Sequence, residues 1–371
     1  MSDWNPSGLP IIRIQNLNDP AKPFNYWNGP VSKRVLVQSG DLLLAWSGTP
    51  GTSFGAHIWG GPAGLLNQHI FRVDLNHSRV LPEWAKIAIN HQLGTLINKA
   101  HGGVGLRHVQ KNEIQSLIIP TPPLKEQHRI IEVLSKQMEH AQQARRAAQV
   151  LLYNATALPR AYLRATFQSP ESLQWPCKPL GDIAELLPSK SISSDGEMKV
   201  RAVTTAALTE TGFDPAGVKD ARMGPVAAKE CALRNGEILI ARSNTPELVG
   251  RAALYPGEPH SVVASDLTIR VWVGGTNSPN YIAAFLSYLY TKGYWRERSG
   301  GASGSMKKIT RTELLTTKIP VPSPEIQHSI ATSLSRNLLG ARDLYRVLSE
   351  QHKLIKILPD ALLRRVFSGE V

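Results

Sequence analysis

Two stretches of this chain combine glycine, small hydroxyl residues and cations in the way that phosphate contacts require. Residues 299–311 read SGGASGSMKKITR, and residues 99–111 read KAHGGVGLRHVQK. Glycine lets backbone N–H groups come close to a phosphate, and Ser, Lys and Arg add side-chain donors. The candidate DNA contacts in the first-copy stretch are His101, Arg107, His108 and Lys111; those in the second are Ser303, Ser305, Lys307, Lys308 and Arg311. Outside these stretches the candidates are Arg13 with Arg201 as its counterpart, Lys33, Arg34, Arg242, Arg251, Arg296 and Arg298. Such contacts position a protein on a polyanion without reading bases. The plainer reading of each stretch is a flexible surface loop.

Catalytic constellations are sparse. No Gly-x-x-x-x-Gly-Lys-Ser/Thr loop is present to cradle a nucleotide. The text GGVGLRH lacks the strand, helix and acidic residue of a dinucleotide fold. His57, His69, His91, His101 and His108 do not fall into a metal pattern such as HExxH. Glu237 and Arg242 invite a nuclease reading, but the aligned positions carry Asp41 and Trp46, so no shared metal site follows. The expectation is a protein without catalytic residues, metal or cofactor.

Charge is the strongest global clue. Forty-two Lys and Arg stand against 29 Asp and Glu, a net charge of +13. A folded protein this basic meets polyanions. Cys177 and Cys231 are the only cysteines, which fits a reducing cytoplasm and excludes a disulfide framework. No secretory leader or run of apolar residues long enough to span a membrane is evident.

The elements that must carry these residues come in two copies. PTPPLKEQHRI begins at Pro120 and PVPSPEIQHSI at Pro320. LPRAYLRATFQS at 158–169 meets LPDALLRRVFSG at 358–369, sharing Leu158/Leu358, Pro159/Pro359, Ala161/Ala361, Leu163/Leu363, Arg164/Arg364 and Phe167/Phe367. Upstream, SGDLLLAWSGTP at 39–50 meets NGEILIARSNTP at 235–246, so the offset drifts as loops change length. Each copy opens with strands: the apolar runs LLL and ILI bounded by Gly and Ser, then NQHIFRVDL and SDLTIRVWV. WAKIAINHQLGTLINKA and NYIAAFLSYLYTKGYWRE follow as helices.

A long helix closes each copy. Proline suits a helix start, as does an acidic residue such as Glu126 or Glu325 in the first turn. Ile131, Leu134, Met138, Ala141, Ala148, Leu152 and Ala155 then recur at three-four spacing. In the same register the second copy offers Ala331, Leu334, Leu338, Ala341, Tyr345, Leu348, His352 and Ile355. That stripe is a coiled-coil seam, and it predicts that the two helices pair. The spacing predicts a first helix over 123–158, roughly 52 Å long at 1.5 Å per residue, with Pro159 and Pro359 kinking or ending each helix. Antiparallel pairing would hold two globular parts at a fixed distance.

PTPPLKEQHRIIEVL, the duplicated halves, NQHIFRV and the ending LLRRVFSGEV resemble the DNA-specificity subunit of type I restriction–modification enzymes. The resemblance covers nearly the whole chain. It implies an α+β architecture of two pseudo-twofold-related mixed α/β target recognition domains, separated by two long antiparallel coiled-coil helices. The expected layout is a first recognition domain at 1–121, a first spacer helix at 122–168, a second recognition domain at 169–321 and a second spacer helix at 322–371. It also implies double-stranded DNA as ligand, read as a split site. The implied partners are two methyltransferase subunits, with restriction subunits able to join. Adenine methylation and ATP-driven cleavage would then belong to those partners. Two departures stand out. Leu124 and Glu126 become Pro324 and Ile326, and WPCKPLGDIAELLPSKSISSDG at 175–196 has no equivalent in the first copy. Two other readings remain. One is an enzyme with its own nuclease or methyltransferase activity, which would need an Asn/Asp-Pro-Pro-Tyr/Phe motif or a carboxylate set. The other is a scaffold that does not bind DNA, against which the charge counts.

Overall fold

The computed structural model describes residues 7–19, 21–48, 54–92, 107–108, 111–192, 196–303 and 306–368. The chain divides into two compact units, residues 1–146 with 353–371 and residues 147–352.

Unit 1 begins with β1 (Leu9–Ile12), α1 (Ile14–Asn18), β2 (Asn25–Trp27), β3 (Leu36–Val37), β4 (Leu42–Ala45), β5 (Ser47–Gly48), β6 (Gly55–Ile58), β7 (Gly64–Leu66) and β8 (Ile70–Val73). Then come α2 (Pro82–His91), β9 (Arg107–His108), α3 (Lys111–Gln115) and the start of α4 (Leu124–Phe167). Its strands form sheets of order β2-β1-β7-β3 and β6-β4-β8, with a small β5-β9 pair. The run Leu42-Leu43-Leu44 is wholly buried because both faces of β4 are covered. Leu43 points into a core with Ile12, Val37, Trp59 and Ile70. Leu42 and Leu44 point into another with Ala56, Ala85 and Ile89. A side-chain period of two puts neighbours on opposite faces, so a strand buried on both reads as an unbroken apolar run.

Unit 2 repeats this plan with additions. It contains β10 (Cys177–Pro179), β11 (Ala184–Leu187), β12 (Met198–Val203), β13 (Leu208–Thr209), β14 (Gly212–Phe213), β15 (Val218–Met223) and α5 (Pro225–Cys231). They are followed by β16 (Ile238–Ala241), β17 (Ser243–Asn244), β18 (Ala252–Leu254), β19 (Val262–Ala264), β20 (Thr268–Val273), α6 (Pro279–Thr291) and α7 (Tyr294–Arg298). Last come β21 (Gly300–Ser303), β22 (Met306–Lys308), α8 (Arg311–Thr316), β23 (Lys318–Pro320) and α9 (Pro324–Ser368), which ends in unit 1. The sheets run β11-β20-β16-β18, β15-β12-β19 and β17-β22-β21, with small β10-β23 and β13-β14 pairs. β16 is the copy of β4: Ile238 and Ile240 enter one core, Leu239 and Ala241 the other.

Register corrects one expected equivalence. Ile11 of β1 pairs in parallel with Leu65, and Ala202 of β12 with Val263. Arg13 stands at the N-cap position of α1, as Thr204 stands at that of the 3-10 turn after β12. Arg13 therefore corresponds to Thr204, and Arg201 has no arginine counterpart. Loop lengths between short strands set the offset, and only strand pairing reveals it.

α4 and α9 fall within the expected spacer spans of 122–168 and 322–371, and α4 extends past the 123–158 stretch that the seam spacing predicts. Both run on through Pro159 and Pro359, over 44 and 45 residues. At 1.5 Å per residue each is about 66 Å long. In unit 2 the second half of α4 lies against the first half of α9, and the directions are opposed. Leu163 and Phe167 share a core with Ala331 and Leu334, while Ala155 lines a cavity with Ala341 and Tyr345. In unit 1 Ile131, Leu134 and Met138 line a cavity with Leu363 of the last turns of α9. The predicted seam faces inward: Leu134, Ala141, Ala148, Ala155, Ala331, Leu334 and Ala341 are buried, and Ile131, Met138, Leu152, Leu338, Leu348, His352 and Ile355 are half-buried. Tyr345 is the exception, at 46% exposed; the small Ala155 beside it leaves its ring at the rim of the cavity.

Candidate DNA interface and helix anchors

The repeated phrase at Pro120 and Pro320 is an anchor. Gln127 and Gln327 are both fully buried in the first turn of their helices. Gln127 Oε1 accepts from the N–H of Leu81, the N-cap of α2, at 2.9 Å, and its Nε2 donates to the carbonyls of Pro122 (2.7 Å) and Arg79 (2.8 Å). Gln327 Oε1 accepts from the N–H of Ser278, the N-cap of α6, at 2.9 Å, and its Nε2 donates to Pro322 carbonyl (3.0 Å) and Asn277 Oδ1 (3.1 Å). A second tie runs the other way. Trp84 Nε1 donates to Pro120 carbonyl at 2.7 Å, and the Tyr281 hydroxyl donates to Pro320 carbonyl at 3.0 Å. Burial pushes the Tyr281 phenol well above its ordinary pKa, so it stays a donor. Each long helix is thus pinned to the front part it follows. The sequence displays the glutamine in both copies, but only the structure shows its partners.

The helix ends are anchored too. Phe167 packs edge-on against Tyr281 and Phe285, and Phe367 stacks on His91 at 4.4 Å and lies 5.6 Å from Trp84. Arg160 of α4 makes a bidentate ion pair with Glu210, which raises the arginine's pKa.

The basic stretch at 299–311 is a β-hairpin rather than a loop. Ser243 lies opposite Lys308 and Asn244 opposite Lys307, while Gly300 and Ser303 face Lys308 and Met306. Unit 1 builds the same pair, with Ser47 opposite His108 and Gly48 opposite Arg107. Lys111 opens α3 as Arg311 opens α8. His101 and Ser305 lie outside the described residues.

Lys308 is exposed, and Lys307 Nζ donates to Ser299 carbonyl at 3.1 Å. Arg296 and Arg298 are exposed on the preceding α7, Arg298 stacked over the Tyr294 ring at 4.1 Å. The half-buried Arg242 joins this group through its backbone, which accepts from Ile309 N–H. Arg242, Arg296, Arg298, Ser303, Lys307 and Lys308 are therefore brought together.

Others are not. Arg251 is committed inward: its guanidinium donates to the Tyr290 hydroxyl and to Leu208 carbonyl and lies over the Tyr290 ring. Arg311 reaches toward Leu187 carbonyl and Ser189 Oγ, both at 3.5 Å. Lys33 and Arg34 are exposed on the segment before β3, and Arg13 is half-buried. Arg201 lines a separate groove of about 910 Å³ on the β15-β12-β19 sheet, together with Lys199, Arg222 and Lys229. The same-face spacing of Lys199 and Arg201 signals this patch in the sequence; Lys229 reaches it only through the fold.

Glu237 is a structural residue. It is buried against Arg270, with two contacts of 2.8 Å, and also accepts from Arg234 N–H. The remaining Arg270 donors go to the carbonyls of Pro188, Glu230 and Ala232. All five guanidinium N–H groups are used, which is what a buried arginine requires. Asp41 and Arg72 stand at these positions in unit 1, where Arg72 donates instead to Leu36 carbonyl and to Asp74. Among the described residues no cluster of three or more metal-ligating side chains occurs, and no helix is long and apolar enough to cross a membrane.

A basic chain built from two copies of one unit, each running into a long pinned helix, defines a duplicated binding protein. The chain belongs to the type I restriction modification DNA specificity family, whose model matches residues 2–148 and 173–339. It is 28% identical to the type I restriction enzyme EcoBI specificity subunit of Escherichia coli over 127 residues, which is 34% of this chain and 26% of that subunit. It is 23% identical to the MjaVIII specificity subunit of Methanocaldococcus jannaschii over 319 residues, 82% of this chain and 73% of that one. Its fold is that of the HsdS subunit from Thermoanaerobacter tengcongensis, with a TM-score of 0.67 and 18% identity over the whole of this chain and 94% of that one. A chain solved for the complex assembly and conformational transition of the type I R-M system gives a TM-score of 0.71, also at 18% identity, covering 95% of that chain.

Proposed function

We propose that this protein is the DNA-specificity subunit of a type I restriction–modification complex, with each unit binding one half of a two-part DNA site. The observation that carries this reading is the basic strand pair built twice, Ser47 opposite His108 and Ser243 opposite Lys308. In unit 2 the strand pair carries Lys307 and Lys308, with Arg242 bonded to it through its backbone and Arg296 and Arg298 on the short helix that leads into it. These cations would hold phosphates and position the unit on its half of the site, which leaves the reading of bases to other contacts. Methylation and cleavage are assigned to partner subunits. The long helices carry exposed apolar side chains for such partners to cover: Tyr153 (76% exposed), Val150, Leu151 and Val347 in unit 2, and, separately, Leu354 (66%) and Ile357 in unit 1. Apolar side chains on a helix face seek another helix.

The test is competition binding of the chain, assembled with its methyltransferase, to randomised duplexes. Selection should enrich two short conserved blocks separated by a fixed unconserved gap. Equal retention of all duplexes would overturn the proposal.

A further inference from the structure

β12 and β15 pair antiparallel over their whole length, from Met198 opposite Met223 to Val203 opposite Val218. Opposed side chains share a face, and a side-chain period of two carries that face along the ribbon. At one end the face is apolar: Val203 is buried and Val218 packs beside it, in the core with Leu239 and Tyr255. Towards the other end it carries Arg201 opposite Asp220 and then Lys199 opposite Arg222, and all four are exposed. The ribbon overhangs its core, and the overhang is charged.

Stability does not account for these charges. Like charges directly opposite each other in a strand pair are destabilising, and Lys199 stands opposite Arg222. Among the described residues no ion pair engages Lys199, Arg201, Asp220 or Arg222. Arg222 is held by backbone instead: its Nε donates to Gly196 carbonyl at 2.6 Å and its Nη2 to Glu197 carbonyl at 3.4 Å. That leaves the fork of Nη1 and Nη2, a pair of donors that matches the two acceptors on the edge of a guanine. β19 flanks β12 only from Arg201, opposite Val262, to Val203. The chain enters β19 through Ser261, whose φ of 57° is left-handed. At Lys199 the described sheet is therefore two strands wide, and the major groove of B-DNA, about 12 Å across, admits a two-stranded ribbon.

The face suits base edges better than phosphates. A phosphate repels Asp220, whereas in the major groove a carboxylate accepts from cytosine N4 while Arg and Lys donate to guanine O6 and N7. Unit 1 builds the same ribbon with other groups on it. Pro10 lies opposite Tyr26 as Arg201 lies opposite Asp220, and Ile12 enters its core as Val203 does. One pair further out, Asn28 Oδ1 occupies the place that a Cβ on Gly8 would take, where unit 2 has Arg222 and Lys199. The two copies share the frame and differ on the outer face.

We propose that the β12–β15 ribbon is the element of unit 2 that reads bases, with Arg201, Asp220 and Arg222 set against base edges in the major groove of its half-site. The proposal rests on the DNA-specificity reading of the chain. The basic hairpin grips the backbone alongside: Asn244 Nδ2 of β17 donates to Thr205 Oγ1, just past β12, at 3.1 Å. From Thr205 back to Lys199 the extended chain covers up to about 20 Å.

The experiment is selection from randomised duplexes by the chain assembled with its methyltransferase, comparing wild type with Arg201→Ala, Asp220→Ala and Arg222→Ala, and with Lys308→Ala for contrast. Each ribbon variant should relax one or two specified positions within one block, leave the other block and the gap unchanged, and bind the wild-type site about tenfold more weakly. Arg201→Lys keeps the charge without the fork and should relax the same position as Arg201→Ala, which separates readout from misfolding. Lys308→Ala should weaken all duplexes alike and keep both blocks. Ribbon variants that keep both blocks would overturn the inference, whether affinity is unchanged or falls uniformly with a salt slope smaller by about one, the mark of a phosphate contact. Variants that keep both blocks but no longer retain poly-glutamate would make the face a protein surface and overturn it equally. A wild-type complex that selects no motif would sink the proposed function itself, whereas wild-type selection untouched by the variants sinks this inference alone.

Discussion

Replacing Gln327 by Ala removes one acceptor and two donors from a site with no access to water. Ser278 N–H loses its partner at 2.9 Å, and Pro322 carbonyl and Asn277 Oδ1 lose theirs at 3.0 and 3.1 Å. Each intramolecular hydrogen bond contributes about 1 kcal/mol net, and a buried group left unpaired costs about 1–3 kcal/mol. Some of these groups will relax toward one another in the space left by the side chain. The expected loss is about 2–4 kcal/mol, a factor of roughly 30 to 700 in the local opening equilibrium. The opening should be local, because Gln327 ties the first turn of α9 to the first turn of α6. Hydrogen-exchange mass spectrometry is the assay, since a chain of two units does not guarantee a single unfolding transition. Protection should fall over residues 278–285 and 325–334 and hold over the β1 and β4 strands of unit 1. A loss below about 0.5 kcal/mol, or one spread evenly over the chain, would refute the anchor argument.

Other outcomes follow from the same geometry. Glu237→Gln leaves Arg270 buried beside a neutral amide and should cost about 3–5 kcal/mol in urea unfolding followed through unit 2. Arg72→Ala should cost less, about 1–2 kcal/mol, because Asp74 is exposed and the main loss is the hydrogen bond to Leu36 carbonyl. His57 has its pKa lowered, first by burial and then by Lys86. A histidine held below its unfolded value contributes stability that is present above that value and lost as pH falls. Unit 1 should therefore weaken as pH drops below about 6.5, and His57→Gln should flatten that dependence in pH-resolved urea titrations. Leu354→Glu with Ile357→Glu should leave circular dichroism unchanged yet abolish co-purification with the methyltransferase. Arg298→Ala and Lys308→Ala should each reduce the salt slope of DNA binding by about one.

Much of this architecture is legible in the sequence, and the failures share one cause. The duplication, the runs LLL and ILI, the inward seam and the long helices all follow from local pattern. What local pattern cannot supply is the partner. Pro159 and Pro359 read as kinks or stops, and both helices continue through them, because tertiary packing offsets one lost backbone bond. Residues 299–311 read as a loop, yet they fold back because Ser243 and Asn244 supply a strand to pair with. Arg251 reads as a free cation until Tyr290 and Leu208 appear around it. Arg13 and Arg201 look equivalent at an offset of 188, and only Leu65 and Val263 show that they are not. Gln127 and Gln327 stand in plain view within the repeated phrase, but their function lies in helix caps about 50 residues upstream in each copy.

The central claim is that two units of one chain specify two halves of one DNA site. Mapping methylated adenines across the genome of a host with the system active tests it directly. The account predicts one split motif, two specified blocks with a constant unspecified gap, and its disappearance when this chain is deleted. Methylation that persists in the deletion strain, or that follows a single uninterrupted motif, would contradict it.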